Sequence, residues 1–282
     1  KKEGVNVYIL GINAYHGDAS ACIFKNEELI AATEEERILR VKHWAGFPCE
    51  SIKFCLEEAG IDITQVDHIT IARDPSANIL KKVAHVLKNL ASIDAAKDRL
   101  LNRKKISNLA KDFSSCFGIK ESSITAKIHN IEHHRSHMAS AFFASPFEES
   151  AVLSIDAFGD FTSTMLGKGT GNKINVESQV NFPHSVGAFY TAFTQYLGFN
   201  HFGDEYKLMG LSPYGSPTML KQVRDAVIFK NDGLFELNLD YFTHHIKGVK
   251  TKIMSKSDPT PSRMFSDLMV SKFGPKRNEN DD

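Results

Sequence analysis

The sequence predicts a layered α/β fold, because apolar runs of strand length alternate with segments of helical periodicity in a strand, helix, strand order. Two further observations support it. A hydrophobic content of 42% over 282 residues is enough to bury a sizeable core, as one large or two ordinary domains. The longest apolar runs stop at strand length, so neither a transmembrane helix nor a secretory segment is expected.

Val5 to Ile12 is an apolar run of β-forming residues. It leads through NAYHGDASACIF, a polar Lys25-Asn26-Glu27 turn and ELIAATEEER, which together read as a β-meander. Gly11, Gly17, Ala14, Ala19 and Ser20 leave the backbone of the first connection open. That connection is either a phosphate-binding run of main-chain amides or an ordinary glycine-containing hairpin turn. Pro48, the spaced apolar residues Ile52, Phe54, Cys55 and Leu56, and Gly60 just past the end predict a short helix, and Val66 to Ala72 a buried strand.

Asn78 to Phe117 reads as helical, with cations at Lys81, Lys82, Lys88, Lys97, Arg99, Arg103, Lys104 and Lys105. Such a run is a solvated face or a patch that steers an anionic substrate. A strand at Lys127 to Ile131, a histidine-bearing helix and a strand at Ala151 to Ile155 follow. The stretch from Asp156 to Thr164 is an acidic, glycine-containing turn before a further alternating strand, Ser163 to Gly167. It suits a metal-bound phosphate as well as a tight hairpin whose acids face water.

Val186 to Leu197 carries Phe189, Phe193, Tyr196 and Leu197 at helical spacing and is read as core. Gly198 to Gly215 mixes glycine, acid, lysine and aromatics as a binding loop does. A helix is expected over Met219 to Phe229, a strand over Leu234 to Leu239, and a lysine-rich, turn-prone segment from Lys247 to Pro261. His244 and His245 are adjacent, cannot both face one ligand on regular structure, and are assigned to a loop surface. Residues from Lys276 have no apolar anchor and are read as a tail.

His133 and His137 are four residues apart, so on a helix both rings leave one face and can converge on an ion, with Asp156 adding a hard oxygen from a strand end. With twelve histidines in the chain, one such spacing is also within chance. A histidine beside Met138, Ala139, Ala141, Phe142 and Phe143 is equally readable as a hydrogen-bonded core residue. Lysine plus arginine equals aspartate plus glutamate at 34 each, so no global field draws nucleic acid or an anionic membrane. Cys22, Cys49, Cys55 and Cys116 show no C-x-x-C spacing, and a chain of this size does not need disulfide staples, so a reducing, cytoplasmic setting is expected.

Taken together, GINAYHGDASACIF, EHHRSHMASAFFASPF, IDAFGDFTSTMLGKG and GDEYKLMGLSPYG resemble the carbamoyltransferase family that includes nodulation protein U and the antibiotic O-carbamoyltransferases. The resemblance implies an actin/hexokinase-like (ASKHA) ATP-binding fold, similar to the metal-binding protein of tRNA threonylcarbamoyl-adenosine synthesis. That fold is built from two βββαβα-type halves, of which the first and part of the second are expected here. Residues 1–275 would form this incomplete N-terminal domain and 276–282 a tail. A C-terminal domain that makes carbamoyl-adenylate from carbamoyl phosphate and ATP would lie in further chain. The activity implied is transfer of the carbamoyl group to a hydroxyl of a small molecule, with the fragment inactive alone and homo-oligomerisation left open.

By position, the resemblance makes His133, His137 and Asp156 ligands of a divalent metal, iron or alternatively zinc, manganese or cobalt, with a further acid from the second half of the fold. It places His16 beside the transferred group as a general base, a role suited to an imidazole. Gly17, Asp18, Asp160, Thr162, Glu205 and Lys207 fall on the nucleotide side of the motifs. Ala157 stands where the family usually has glycine, and Phe161 is bulkier than its turn leads one to expect. A metal- and nucleotide-binding module without transferase activity, and less so a kinase or phosphatase, remain readings of the same superfold.

Overall fold

The computed structural model describes residues 6–88, 109–248, 251–253 and 259–278, and the architecture is α/β as expected. The later part of the basic run, Lys97 to Lys105, and the last residues of the tail lie outside the described residues. Backbone contacts divide the chain into two compact units.

The first unit holds residues 6–75 and 109–131. Strands β1 (Tyr8–Asn13), β2 (Ser20–Lys25) and β3 (Glu28–Glu34) form the antiparallel meander, with Asn26 at φ +58° in its second turn. Helices α1 (Glu35–Leu39) and α2 (Cys49–Ala59) follow, and β4 (His68–Ile71) and β5 (Lys127–Asn130) add in parallel to give the order β3-β2-β1-β4-β5. The order of elements is that of the βββαβα half implied by the resemblance. Alternation puts Leu10, Ile12, Ala21, Ile23, Ile69 and Ile71 on one buried face, against which α2 packs Ile52, Cys55 and Leu56 at helical spacing. Pro48 precedes α2 and Gly60 ends it at φ +64°, as the punctuation predicts.

Two expectations are corrected in this unit. Gly11 lies inside β1 opposite Cys22, where a Cβ would come within 2.8 Å of the Cys22 sulfur, and Ala14 and Ala19 are buried; these small residues serve sheet packing and not an open backbone. Cys49 and Cys116 are joined by a disulfide, leaving Cys22 and Cys55 as the free thiols. Packing of α2 beside the helix Leu109–Phe117 brings their Cα atoms to 5.8 Å, within bridging range, across a sequence separation of 67 that spacing rules do not register.

The second unit holds chiefly residues 132–248, with 76–88 and 260–278. The histidine helix His133–Phe142 packs on an antiparallel sheet in the order β6-β7-β8, made of Glu149–Gly159, Thr162–Thr170 and Lys173–Asn181. Met138 and Phe142 meet Val152 and Met165 in a small core. The helix Val186–Tyr196 follows, capped by Ser185, and joins Phe242, Met264, Phe265 and Met269 in a second core.

The segment read as one helix over Met219 to Phe229 is helical only at Leu220–Arg224. Val227–Phe229 then pairs antiparallel with Phe235–Leu237 around Gly233 at φ +80°. His244 is not on a surface but fully buried, with Nε2–H donating to the Pro183 carbonyl at 2.7 Å among Phe158, Phe182 and Phe242. Gly198 to Gly215 is not all loop, since Glu205–Leu211 is helical. Lys276 to Asn278 pack back on the Val186–Tyr196 helix, Arg277 donating its N–H to the Tyr196 carbonyl at 3.2 Å. No helix among the described residues is long and apolar enough to cross a membrane.

Candidate functional site

The histidine helix begins where it does because two acids satisfy its first amides. Glu132 accepts from Arg135 N at 2.8 Å, and Asp160 Oδ2 accepts from His133 N at 3.0 Å. Burial pushes the Glu132 carboxyl up. The helical repeat then divides the histidines. His134 turns inward with Met138, while His133 and His137, one turn apart, share the other face.

His134 is fully buried between Ser154 Oγ at 2.8 Å and the Thr162 carbonyl at 3.0 Å. Since a carbonyl only accepts, Nε2 carries the proton and Nδ1 accepts from the serine. Burial lowers its pKa to about 4, which keeps that neutral tautomer.

β6 delivers Asp156 to the same place. Its backbone carbonyl accepts from Ser185 Oγ at 3.1 Å, and its Oδ1 accepts from Ala157 N at 2.6 Å. Oδ2 lies 2.9 Å from His133 Nε2 and 3.6 Å from His137 Nε2, and the two Nε2 atoms are 3.1 Å apart. The hydrogen bond from His133, with the His137 ring close beside it, holds the Asp156 carboxyl well below the usual carboxylate range. The side chains are 15%, 50% and 40% exposed for His133, His137 and Asp156, so the cluster opens to solvent on the His137 side.

These separations pass a fit test. Donor atoms bonded at about 2.0–2.2 Å to one ion stand roughly 3–3.5 Å from each other, and the observed edges of 2.9, 3.1 and 3.6 Å bracket that range. Two imidazole nitrogens aimed at each other and at one carboxylate oxygen are also a donor set that a cation satisfies and a single shared proton does not.

Glycines make the approach possible. A Cβ on Gly159 would lie 2.0 Å from the His133 ring, and one on Gly187 would lie 2.6 Å from Ala157 N. Sequence reading singled out neither, nor Glu132, His134 and Ser154 as supports. The signal for Gly159 was its place beside the acids; for Ser154 it was an inward position on the alternating strand.

Asp160 and Phe161, both at positive φ, are the central pair of a two-residue β6–β7 turn, as type I′ requires. The turn is thus the tight hairpin, but Asp160 caps the histidine helix instead of facing water. Phe161 packs on Phe182 and His85. Thr162 is fully buried, its hydroxyl accepting from Asn78 Nδ2 at 3.2 Å. Glu205 and Lys207 are held in another segment. Glu205 accepts from Thr191 Oγ1 at 2.5 Å, and Lys207 pairs with the buried Asp204 at 2.6 Å.

His16, Gly17 and Asp18 belong to the first unit, in the β1–β2 connection. His16 Nδ1 donates to the Gly17 carbonyl at 3.1 Å. A strap over residues 43–47 braces this connection: Tyr15 N donates to Gly46 O, Ala19 N to Trp44 O, and His43 Nδ1 stands 2.8 Å from Asp18 Oδ1. Tyr15, at φ +68°, donates its hydroxyl to Asp112 at 2.5 Å; burial and that carboxylate push its pKa up. Asp18, Glu36 and His43 bring donor atoms within 4.8 Å of one another, a grouping that sequence reading missed although EEERILRVKH concentrates acids and a histidine just after a strand.

A family model described as carbamoyltransferase N-terminus matches residues 8–261. The chain belongs to the carbamoyltransferase N-terminus family. It is 40% identical over 244 residues to the uncharacterized protein sll1178 of Synechocystis sp., an alignment covering 84% of this chain and 40% of that protein. It is 35% identical over 206 residues to nodulation protein NolNO of Sinorhizobium fredii, covering 73% of this chain and 29% of the relative. The chain therefore spans less than half the length of these relatives. Among solved structures, YeaZ from Pseudomonas aeruginosa aligns at 13% identity and a TM-score of 0.32, covering 63% of this chain and 68% of that one. So loose a likeness adds nothing to the strand order described above.

Proposed function

We propose that this family member is the N-terminal part of an O-carbamoyltransferase that moves a carbamoyl group from carbamoyl phosphate, by way of carbamoyl-adenylate, to a hydroxyl of a small molecule. The observation that carries the reading is the convergence of His133, His137 and Asp156 on one point, in a chain whose family is a carbamoyltransferase family. His133, His137 and Asp156 would hold a divalent metal, which when bound supplies positive charge for nucleotide phosphates. Asp160 orients the ligands by fixing the first turn of their helix, and His134 locks that helix to β6 and β7.

His16 takes the proton. As the acceptor oxygen attacks the carbamoyl carbon, the bond from that carbon to the adenylate phosphate oxygen breaks, AMP leaves, and the hydroxyl proton passes to the imidazole. Its Nδ1–H bond to the Gly17 carbonyl leaves Nε2 as the basic nitrogen, the tautomer that this step needs.

The test uses the full-length protein. His16→Ala is expected to make carbamoyl-adenylate at the wild-type rate while carbamoyl transfer falls roughly 10²–10⁴-fold. Transfer at the wild-type rate would overturn the assignment.

A further inference from the structure

Outside the metal centre, the chemistry that the fold sets apart is sulfur. Cys49 is the first residue of the eleven-residue helix α2, and Cys116 lies in the last turn of the helix Leu109–Phe117. Both are partly exposed. The other two thiols are poor participants: Cys55 is fully buried, and Cys22 is part of β2, its sulfur set against Gly11 of β1. Burial pushes the Cys55 thiol up to about 12 and raises that of Cys22 as well, so neither supplies thiolate near neutral pH.

The bond also ties two elements that meet beside the His16 connection. The helix that Cys116 anchors carries Asp112, which accepts from Tyr15, and Phe113, whose ring stands edge-on to Phe47 at 5.0 Å. Phe47 in turn stands 6.4 Å from the ring of Tyr15, the residue before His16.

We propose that Cys49–Cys116 is a reversible redox site, opened by dithiol reductants and closed by disulfide exchange, that sets how firmly the helix Leu109–Phe117 is pinned to α2 and braces the His16 connection. A reductant thiolate attacks Sγ of Cys116, the Cys49–Cys116 bond breaks, and Cys49 leaves as a thiolate that the amides at the start of α2 favour. The reductant's second thiolate attacks the mixed disulfide, releasing Cys116 and closing the reductant's own disulfide. Both cysteine thiolates take protons from water, so the site gains two electrons and two protons and the dithiol loses them.

The inference is independent of the transfer reaction, and its test reads thiols and stability. Full-length protein is equilibrated across oxidised and reduced dithiothreitol ratios, trapped by alkylation, mapped by peptide mass and melted. One reversible two-electron transition at Cys49 and Cys116 is expected, with Cys22 and Cys55 remaining thiols throughout. Reduction should lower the melting temperature by roughly 5–10 °C. Cys49→Ser should melt as the reduced wild type does and ignore reductant. Should that variant fail to fold, hydrogen exchange on the reduced wild type should quicken in Leu109–Phe117 and around Tyr15. Free thiols at both positions at the oxidising end of the series, a bond that native-state reductant leaves closed, or reduction with no change in melting or exchange would each overturn the proposal.

Discussion

In the first unit β1 has a neighbour on each side, β2 antiparallel and β4 parallel, whereas in the second unit β6 is paired with β7 alone among the described residues. Each unit holds a three-stranded meander with an eleven-residue helix after it, but α1 intervenes in the first unit and the histidine helix precedes the meander in the second. Burial follows the face each side chain takes: Val152 and Ser154 of β6, at 4% and 5% exposed, are as covered as the core side chains of β1, and the contrast lies on the other face of β6. Leu10 and Ile12 of β1 are 0% and 4% exposed, while Leu153 and Ile155, on the face of β6 opposite the histidine helix core, are 57% and 55% exposed. The connection between first and second strands carries candidate chemistry in both units. The long, strapped one presents His16 and Asp18; the two-residue one turns Asp160 onto the helix that holds His133. The two connections differ in length, and each sets its candidate residues in a different local frame.

Leu10→Ala should break that comparison most strongly. It removes a fully buried side chain and should cost about 2–5 kcal/mol, while Leu153→Ala should stay within roughly 1 kcal/mol, both read from denaturant unfolding. Equal costs would mean that the Leu153 face of β6 is covered much as β1 is.

Acid should act next. His134 and His244, both in the second unit, have pKa values lowered to about 4 by burial. The unfolded chain protonates first, near 6.5, so their contribution is full above that pH and is lost as pH falls toward about 4. Each accounts for at most about 3 kcal/mol over that window. Hydrogen exchange should show β6–β8 losing protection between pH 6.5 and 4.5, and unchanged protection there would refute the account of both buried imidazoles.

Glycine substitutions sharpen the contrast further. Gly159→Ala drives a Cβ into His133 and Gly11→Ala drives one into Cys22. Each should cost about 1–3 kcal/mol by overpacking. Only Gly159→Ala should also weaken divalent metal binding, by roughly 10–100-fold in calorimetry. A matching loss in Gly11→Ala would contradict the proposal that the second unit holds the metal.

Much of this was legible in the sequence. The meander, α2 between Pro48 and Gly60, the histidine pair at i and i+4 and the core helix at Val186 all follow from period and punctuation. β8 has little strand signal in sequence, because its apolar positions, Ile174, Val176 and Val180, are thinly spread among Lys173, Asn175, Glu177, Ser178 and Gln179. The hairpin after Val227 had its signal in Asp232-Gly233, which a helical reading through Phe229 obscured. Adjacency argued His244 onto a surface, yet one ring can be buried while its neighbour is not. The Cys49–Cys116 bond and the braces on His16 join residues far apart in sequence, and local pattern does not encode such contacts.

The most direct test of the account is metal stoichiometry in the full-length protein purified without chelators, measured for wild type and for His133→Ala/His137→Ala. About one divalent ion per chain is expected in the wild type and almost none in the double variant, with affinity down by at least about 100-fold. A metal-free wild type, or a double variant that retains the ion, would contradict it.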